Sequence, residues 1–267
     1  MRYRVLLGIW LATDLLLFMG IYALVYFLRV GWIFSTDFPF DRYLTAVTLT
    51  APLWLLVVAT TRTFHFMRSQ ATLRNAAYIT YAGMVGVALF TLVYYFRYTA
   101  FFSRLLLVYA FVLQTGATYV WHILYQRFMR LQLRRDPPAF PTLIVGLTRE
   151  SRALIGTLNR RLSPLKPVAI LESRGTSERE VGGVPVRGKL NLLEETLARE
   201  KITHLVQCSD LEQSLNLLSA CRNGGITYLL LPSVLGIIER DERVESLERF
   251  PVTLVEPRRN FWSWFFR

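Results

Sequence analysis

Gly146, Thr148, Arg149, Ser151 and Glu172 are the residues whose types and spacing come nearest to a ligand site. The turn Gly146-Leu147-Thr148-Arg149-Glu150-Ser151 follows an apolar run and precedes a segment of helical spacing. A dinucleotide fold needs G-x-G-x-x-G there, because glycines let the backbone approach a pyrophosphate seated on the helix N-terminus. Only the first glycine is present; Thr148 and Ser151 hold the other two places. Glu150 puts negative charge where a phosphate would sit, and Arg149 partly offsets it. Glu172, ending the next apolar run, matches the acidic position that takes a ribose hydroxyl. Two readings stay open: a structural Rossmann-like unit with an emptied site, which the residues favour, and a site for a nucleotide or nucleotide sugar. No other cofactor is implied.

Other constellations are thin. Asp14 is an acid inside an apolar span, where a lone carboxylate costs on the order of 3 kcal/mol. It must face other helices, at the level of Gln114, Thr115 and Thr118, with no basic partner expected at that depth. It is read as a polar lock between helices, with a proton or substrate site as the alternative. His122, near the inner end of its span, reads as an interfacial or packed histidine. His204, Cys208 and Cys221 lack zinc-ligand spacing, and the two cysteines read as reduced core thiols. Glu239, Asp241, Glu242, Glu245 and Glu248 alternate with Arg240, Arg243 and Arg249, a solvated, salt-bridged pattern. No G-x-S-x-G, H-E-x-x-H or P-loop occurs. No catalytic residue and no metal ligand is assigned.

The elements that must position these residues fall in two halves. The apolar share of the 267 residues is 53%, and the net charge is +12. Residues 1–136 hold 13 Arg and 4 acids, whereas residues 137–267 are nearly balanced. Basic excess confined to the flanks of apolar spans is the positive-inside pattern, and it excludes nucleic acid as a partner. The spans are Val5–Phe27, Leu44–Thr61 (with a kink expected at Pro52), Ala76–Phe96 and Leu105–Gln126, each near the ~20 residues that a bilayer core requires. Arg2 and Arg4, then Arg62, Arg68 and Arg74, then Arg127, Arg130, Arg134 and Arg135 mark one side as cytoplasmic. Both ends of the bundle are therefore expected inside. Trp32, Phe34, Phe38, Phe40, Tyr94, Tyr95, Tyr98, Phe101 and Phe102 form the expected outer aromatic belt.

After Asp136-Pro137-Pro138 the pattern alternates strand and helix. Strands are expected at Thr142–Gly146, Pro167–Glu172, Val184–Arg187, Thr203–Cys208 and Ile226–Leu231. Helices are expected at Glu150–Leu162, Leu190–Glu200 and Asp210–Arg222, the last N-capped by Asp210 and ended by Gly224-Gly225. Ser173–Gly183 reads as a loop. Such alternation implies a parallel sheet with helices on its faces. The fold class is thus a four-helix membrane bundle followed by an α/β Rossmann-like domain. The expected domains are 1–136, 137–257 in the cytosol, and an aromatic interfacial tail at 258–267.

Four spans, then Pro141–Gly146, then Gly182-Gly183-Val184-Pro185-Val186-Arg187-Gly188 running into Leu190–Glu195, then His204–Asp210, make a specific combination. It resembles the N-terminal half of bacterial polyprenyl-phosphate sugar-1-phosphate transferases, which initiate exopolysaccharide and O-antigen synthesis. Pro251–Pro257 resembles the lead-in to that family's catalytic module. The module's basic re-entrant helix and Asp-Glu pair do not occur within these residues, so the resemblance carries over no catalytic residue. It implies a multi-pass protein of the bacterial inner membrane that anchors, oligomerises or regulates sugar-1-phosphate transfer. The implied partners are membrane lipid and either a second copy or a polysaccharide-synthesis enzyme. Two alternatives stay open: a truncated or split phosphoglycosyl transferase enzyme, and a membrane nucleotide-sugar dehydratase or epimerase, which shares the same N-terminal layout.

Overall fold

The computed structural model describes residues 2–31, 39–65, 68–98, 104–172, 177–208, 214–231, 243–247 and 250–255. The chain forms two compact units, Met1–Met129 and Arg130–Arg267. The expected tail at 258–267, the Asp210 cap, and Trp32, Phe34, Phe38, Phe101 and Phe102 lie outside the described residues.

The first unit is built from α1 (Arg2–Val30), α2 (Phe40–Thr60), α3 (Leu73–Tyr98) and most of α4 (Arg104–Arg134). All four are long and apolar enough to cross a membrane. On α1 the residues Leu6, Trp10, Asp14, Phe18, Tyr22 and Tyr26 recur every fourth position, and all are buried. That spacing gives one stripe along a helix of 3.6 residues per turn. The stripe meets an aromatic core. Phe18 stacks on Tyr22 at 4.4 Å and lies 4.8 Å from Trp54, and Tyr22 lies 5.2 Å from Phe90. A Cβ at Gly86 would come within 2.7 Å of Trp54 Cδ1, so glycine there lets α2 and α3 approach. The opposite faces are apolar and exposed, as at Leu16, Met84 and Phe96, which suits hydrocarbon rather than water. The hydroxyls of Thr45, Thr48, Thr50, Thr80 and Thr91 each donate to the carbonyl four residues back, so none is left unpaired in an apolar surround.

α4 continues eight residues beyond the Leu105–Gln126 span to Arg134, just before the prolines, and α2 is one helix through Pro52. One expectation changes. Tyr94 is buried against Phe90 instead of standing in an outer belt, because it continues the inward stripe of Ile79, Gly83, Gly86 and Phe90 on α3.

The second unit is an eight-stranded sheet. Its strands are β1 (Phe140–Val145), β2 (Leu165–Leu171), β3 (Glu180–Val181), β4 (Val184–Gly188), β5 (His204–Gln207), β6 (Thr227–Leu230), β7 (Arg243–Leu247) and β8 (Phe250–Val255). The order is β3-β4-β2-β1-β5-β6-β8-β7. The five central strands from β4 to β6 are parallel. β1 pairs with β2 on one side and β5 on the other. The strand order therefore reverses at β1/β5, the switch point where open α/β sheets place ligands. α5 (Arg149–Arg160), α6 (Leu193–Arg199) and α7 (Ser214–Gly224) connect the strands. β1 is buried from Pro141 onward, as expected of a strand covered on both faces. Leu143, Val145, Ala169, Leu171, Leu205, Leu217 and Tyr228 share one core cluster.

The sheet is larger than the parallel core expected from the sequence. β3 lies inside the stretch read as a loop, Ser173–Gly183, and pairs antiparallel with β4 across Gly182 and Gly183, whose φ angles are 59° and 81°. Left-handed glycine pairs make the tight hairpin turn that such short strands need. Part of the acidic and basic stretch read as a solvated segment is β7, hydrogen-bonded along β8. Two-residue strands and alternating charge give too weak a period-2 signal to read from sequence.

Candidate functional site

The site builds up from the turn after β1, at the switch point. Gly146 has φ 96°, a conformation that L side chains rarely adopt, and its N–H donates to Leu171 O at 2.9 Å. The Leu147 N–H donates to a Glu172 carboxylate oxygen. Thr148 caps α5. Its Oγ1 accepts from the Ser151 N–H at 3.1 Å, while Ser151 Oγ accepts from the Thr148 N–H at 2.9 Å. This reciprocal pair is a capping box with serine in the third helical position. Of the six amides from Gly146 to Ser151, four are thus bonded within the protein, two to the end of β2 and two inside the turn. The other two, on Arg149 and Glu150, belong to the helical turn that carries the exposed Glu150 carboxylate.

The structure therefore brings Gly146, Thr148, Ser151 and Glu172 together, with Arg149 exposed at the start of α5. It gives them a different arrangement from a dinucleotide site. Glu172 binds the backbone of the phosphate turn itself. Thr148 and Ser151 bind each other.

Two further residues lie at the same end of the sheet, beside the end of β1, and neither is assigned to the site by spacing. Cys208, directly after β5, has its N–H donating to Val145 O at 2.7 Å. Burial pushes its thiol up to about 12, and the Glu150 carboxylate adds to the effect, so the sulfur is a neutral apolar wall. Gln207, fully buried at the end of β5, accepts from Tyr228 Oη and donates from Nε2 to Ser214 Oγ at 3.0 Å. That chain ties β5 and β6 to the start of α7. Its signal in the sequence was a single amide inside an apolar strand.

The model of the CoA-binding domain matches residues 63–232. The chain belongs to this family. The matched region begins before α3 and ends just after β6, so this family's pattern takes in two of the apolar helices as well as the Rossmann-like unit. This Rossmann-like domain type occurs in sugar transferases. No curated protein gives a significant match. Among solved structures, the crystal structure of RSP in complex with beta-NADH is 15% identical, covering 48% of this chain and 68% of that one, with a TM-score of 0.33. So low a TM-score leaves the fold to the family match and the strand order.

Elsewhere in this CoA-binding-domain protein, the acid of the first span has a partner that the sequence reading denied it. Asp14 Oδ2 lies 2.6 Å from His122 Nε2, and both side chains are fully buried. Trp10 and Phe64 pack their rings 5.1 Å and 5.6 Å from the imidazole. Gln114, expected at the level of Asp14, donates instead to Thr118 Oγ1 at 2.9 Å. The cause is the length of α4. Asp14 is twelve residues from the start of α1, and His122 is twelve residues from the end of α4. At 1.5 Å per residue both lie about 18 Å in.

Arg134 also changes role. In the sequence it is one charge of the Arg127–Arg135 cluster. Its Nη1 donates to Leu158 O at 2.9 Å and Ser163 O at 3.0 Å, and its Nη2 to Asn159 Oδ1 at 2.8 Å. It thus caps the C-terminal end of α5, where carbonyls lack helical partners. Among the described residues no group of three or more His, Cys, Asp or Glu is placed to hold a metal.

Proposed function

We propose that these residues form a non-catalytic, membrane-anchored module of bacterial surface-polysaccharide initiation. Its task is to anchor, oligomerise or regulate the transfer of a sugar 1-phosphate from a UDP-sugar to polyprenyl phosphate. The observation that supports an anchoring or regulatory task for the second unit, and not a nucleotide-dependent one, is the closed turn after β1. Four of its amides are bonded within the protein, two of them to the end of β2, and two carboxylates, Glu150 and Glu172, stand where an anionic ligand would need positive potential. The pathway rests on the resemblance through Gly182–Gly188 and on the occurrence of this domain type in sugar transferases. The expected setting is the bacterial inner membrane, with the Rossmann-like unit on the cytosolic side.

The test is a transfer assay on the purified chain with polyprenyl phosphate and a panel of UDP-sugars, following UMP release. No release is expected. Release above the protein-free control overturns the non-catalytic reading.

One observation favours a second reading, a nucleotide or nucleotide-sugar sensor. The β1/β5 switch point, the left-handed Gly146 and the start of α5 are all in the places a nucleotide site uses. For that reading Glu172 must leave the Leu147 N–H when ligand arrives.

A further inference from the structure

At the Arg-rich end of the first unit, two guanidinium groups converge on one tyrosine. Arg68, between α2 and α3, places Cζ 4.6 Å from the centroid of the Tyr78 ring. Arg74, in the first turn of α3, places Cζ 5.8 Å from the same centroid, and its Nη2 donates to Tyr78 Oη at 3.4 Å. The pair stands on a fixed scaffold. Arg68 Nη1 donates to Thr61 O at 2.6 Å. Gln126 Nε2 donates to Arg68 O at 2.5 Å, and Gln126 Oε1 accepts from the Gln70 N–H at 2.9 Å. Buried Gln70 donates to Thr63 O, and buried Asn75 donates to Gln70 Oε1. The ring attracts each guanidinium, and an anion between the two would offset their mutual repulsion.

Among the described residues neither guanidinium has a carboxylate partner. The acids of the first unit are Asp14, Asp37 and Asp41, and the sequence has no other acid before Asp136. Asp14 is bonded to His122 inside the bundle. Asp41 lies in the first turn of α2, a full helix away from Arg68, and Asp37 precedes it in sequence. The neighbouring surface is apolar: Leu73, next to Arg74, is 88% exposed. α3 is long and apolar enough to cross a membrane, so its first turn lies at the depth of lipid headgroups.

We propose that Arg68, Arg74 and Tyr78 form a binding site for the phosphate group of an anionic membrane lipid, with Leu73 against its acyl chain. The planar guanidinium forks suit paired hydrogen bonds to phosphate oxygens. The Tyr78 hydroxyl, accepting from Arg74, has its own proton to donate. The start of α3 adds the positive end of a helix dipole.

The test is native mass spectrometry of the full chain in a neutral detergent. The probes are phosphatidylglycerol and phosphatidylcholine at equal concentration, with inorganic phosphate as a separate competitor. Wild type is expected to retain phosphatidylglycerol in preference. Arg74→Gln lowers that preference roughly fivefold, and Arg68→Lys combined with Arg74→Gln lowers it further, to about tenfold or more. Arg97→Gln, at the other end of α3, leaves it unchanged. Should the Arg68 substitution prevent folding, Tyr78→Phe, which lies outside the polar scaffold, is expected to lower the preference about threefold. Equal retention by wild type and Arg74→Gln overturns the site, as does equal loss in Arg97→Gln. Displacement of the lipid by millimolar phosphate overturns the lipid assignment in favour of a soluble anion.

Discussion

Asp14 and His122 are two ionisable residues that would each be unfavourable alone in an apolar bundle, and each supplies the other's hydrogen bond at 2.6 Å. A double-mutant cycle with Asp14→Leu and His122→Leu, read by unfolding in mixed detergent, is expected to give a coupling of about 1–2 kcal/mol. Additive losses would contradict the pair. The sequence exposed Asp14 as a buried polar group but not its partner, because the depth of His122 depends on where α4 ends, and helix ends are the least legible feature of an apolar run. The thiols give a pH dependence. Burial pushes both Cys208 and Cys221 up to about 12 from 9.0. A folded thiol that holds its proton longer than the unfolded one contributes stability in full below pH 9 and loses it as pH rises toward 12. Cys208→Ser and Cys221→Ser variants are therefore expected to lose less stability than wild type between pH 9 and 11 in a denaturant titration. Parallel decline would contradict it.

At the scale of elements, the α5 end is where a charged side chain replaces missing helical partners. Arg134 reaches two carbonyls and an amide there. Arg134→Ala is expected to lower the stability of the second unit by roughly 2 kcal/mol, since bonds to a charged donor are worth about 1.5–3 kcal/mol. Chemical denaturation followed by near-ultraviolet circular dichroism checks this; a change below 0.5 kcal/mol (about the size of an ordinary surface substitution) would contradict the cap. The strands and helices of the parallel core were legible because apolar runs alternate with helical spacing and end at glycines, as at Gly225 with φ 63°. The antiparallel edges were not, since pairing partners such as Glu180 with Pro185 carry no hydrophobic period. The candidate site was legible only as a set of residues. Gly146, Thr148, Ser151 and Glu172 were visible in the turn. That Glu172 would bond the Leu147 N–H is a matter of side-chain direction, which spacing does not carry.

At the scale of the molecule, four apolar helices are followed by a Rossmann-like unit of the CoA-binding-domain family. The unit keeps the strand order of a nucleotide-binding fold while its own side chains fill the phosphate turn. The proposed function follows from that filling: a module that anchors and assembles, with no nucleotide bound at the turn. The most direct measurement is isothermal titration of the full chain in detergent with coenzyme A, NADH and a UDP-sugar, beside a Gly146→Trp variant that blocks the turn. The account predicts no saturable heat from wild type with any of the three. Saturable binding to wild type that is lost in Gly146→Trp would contradict it, and would mean that Glu172 yields the turn to a ligand.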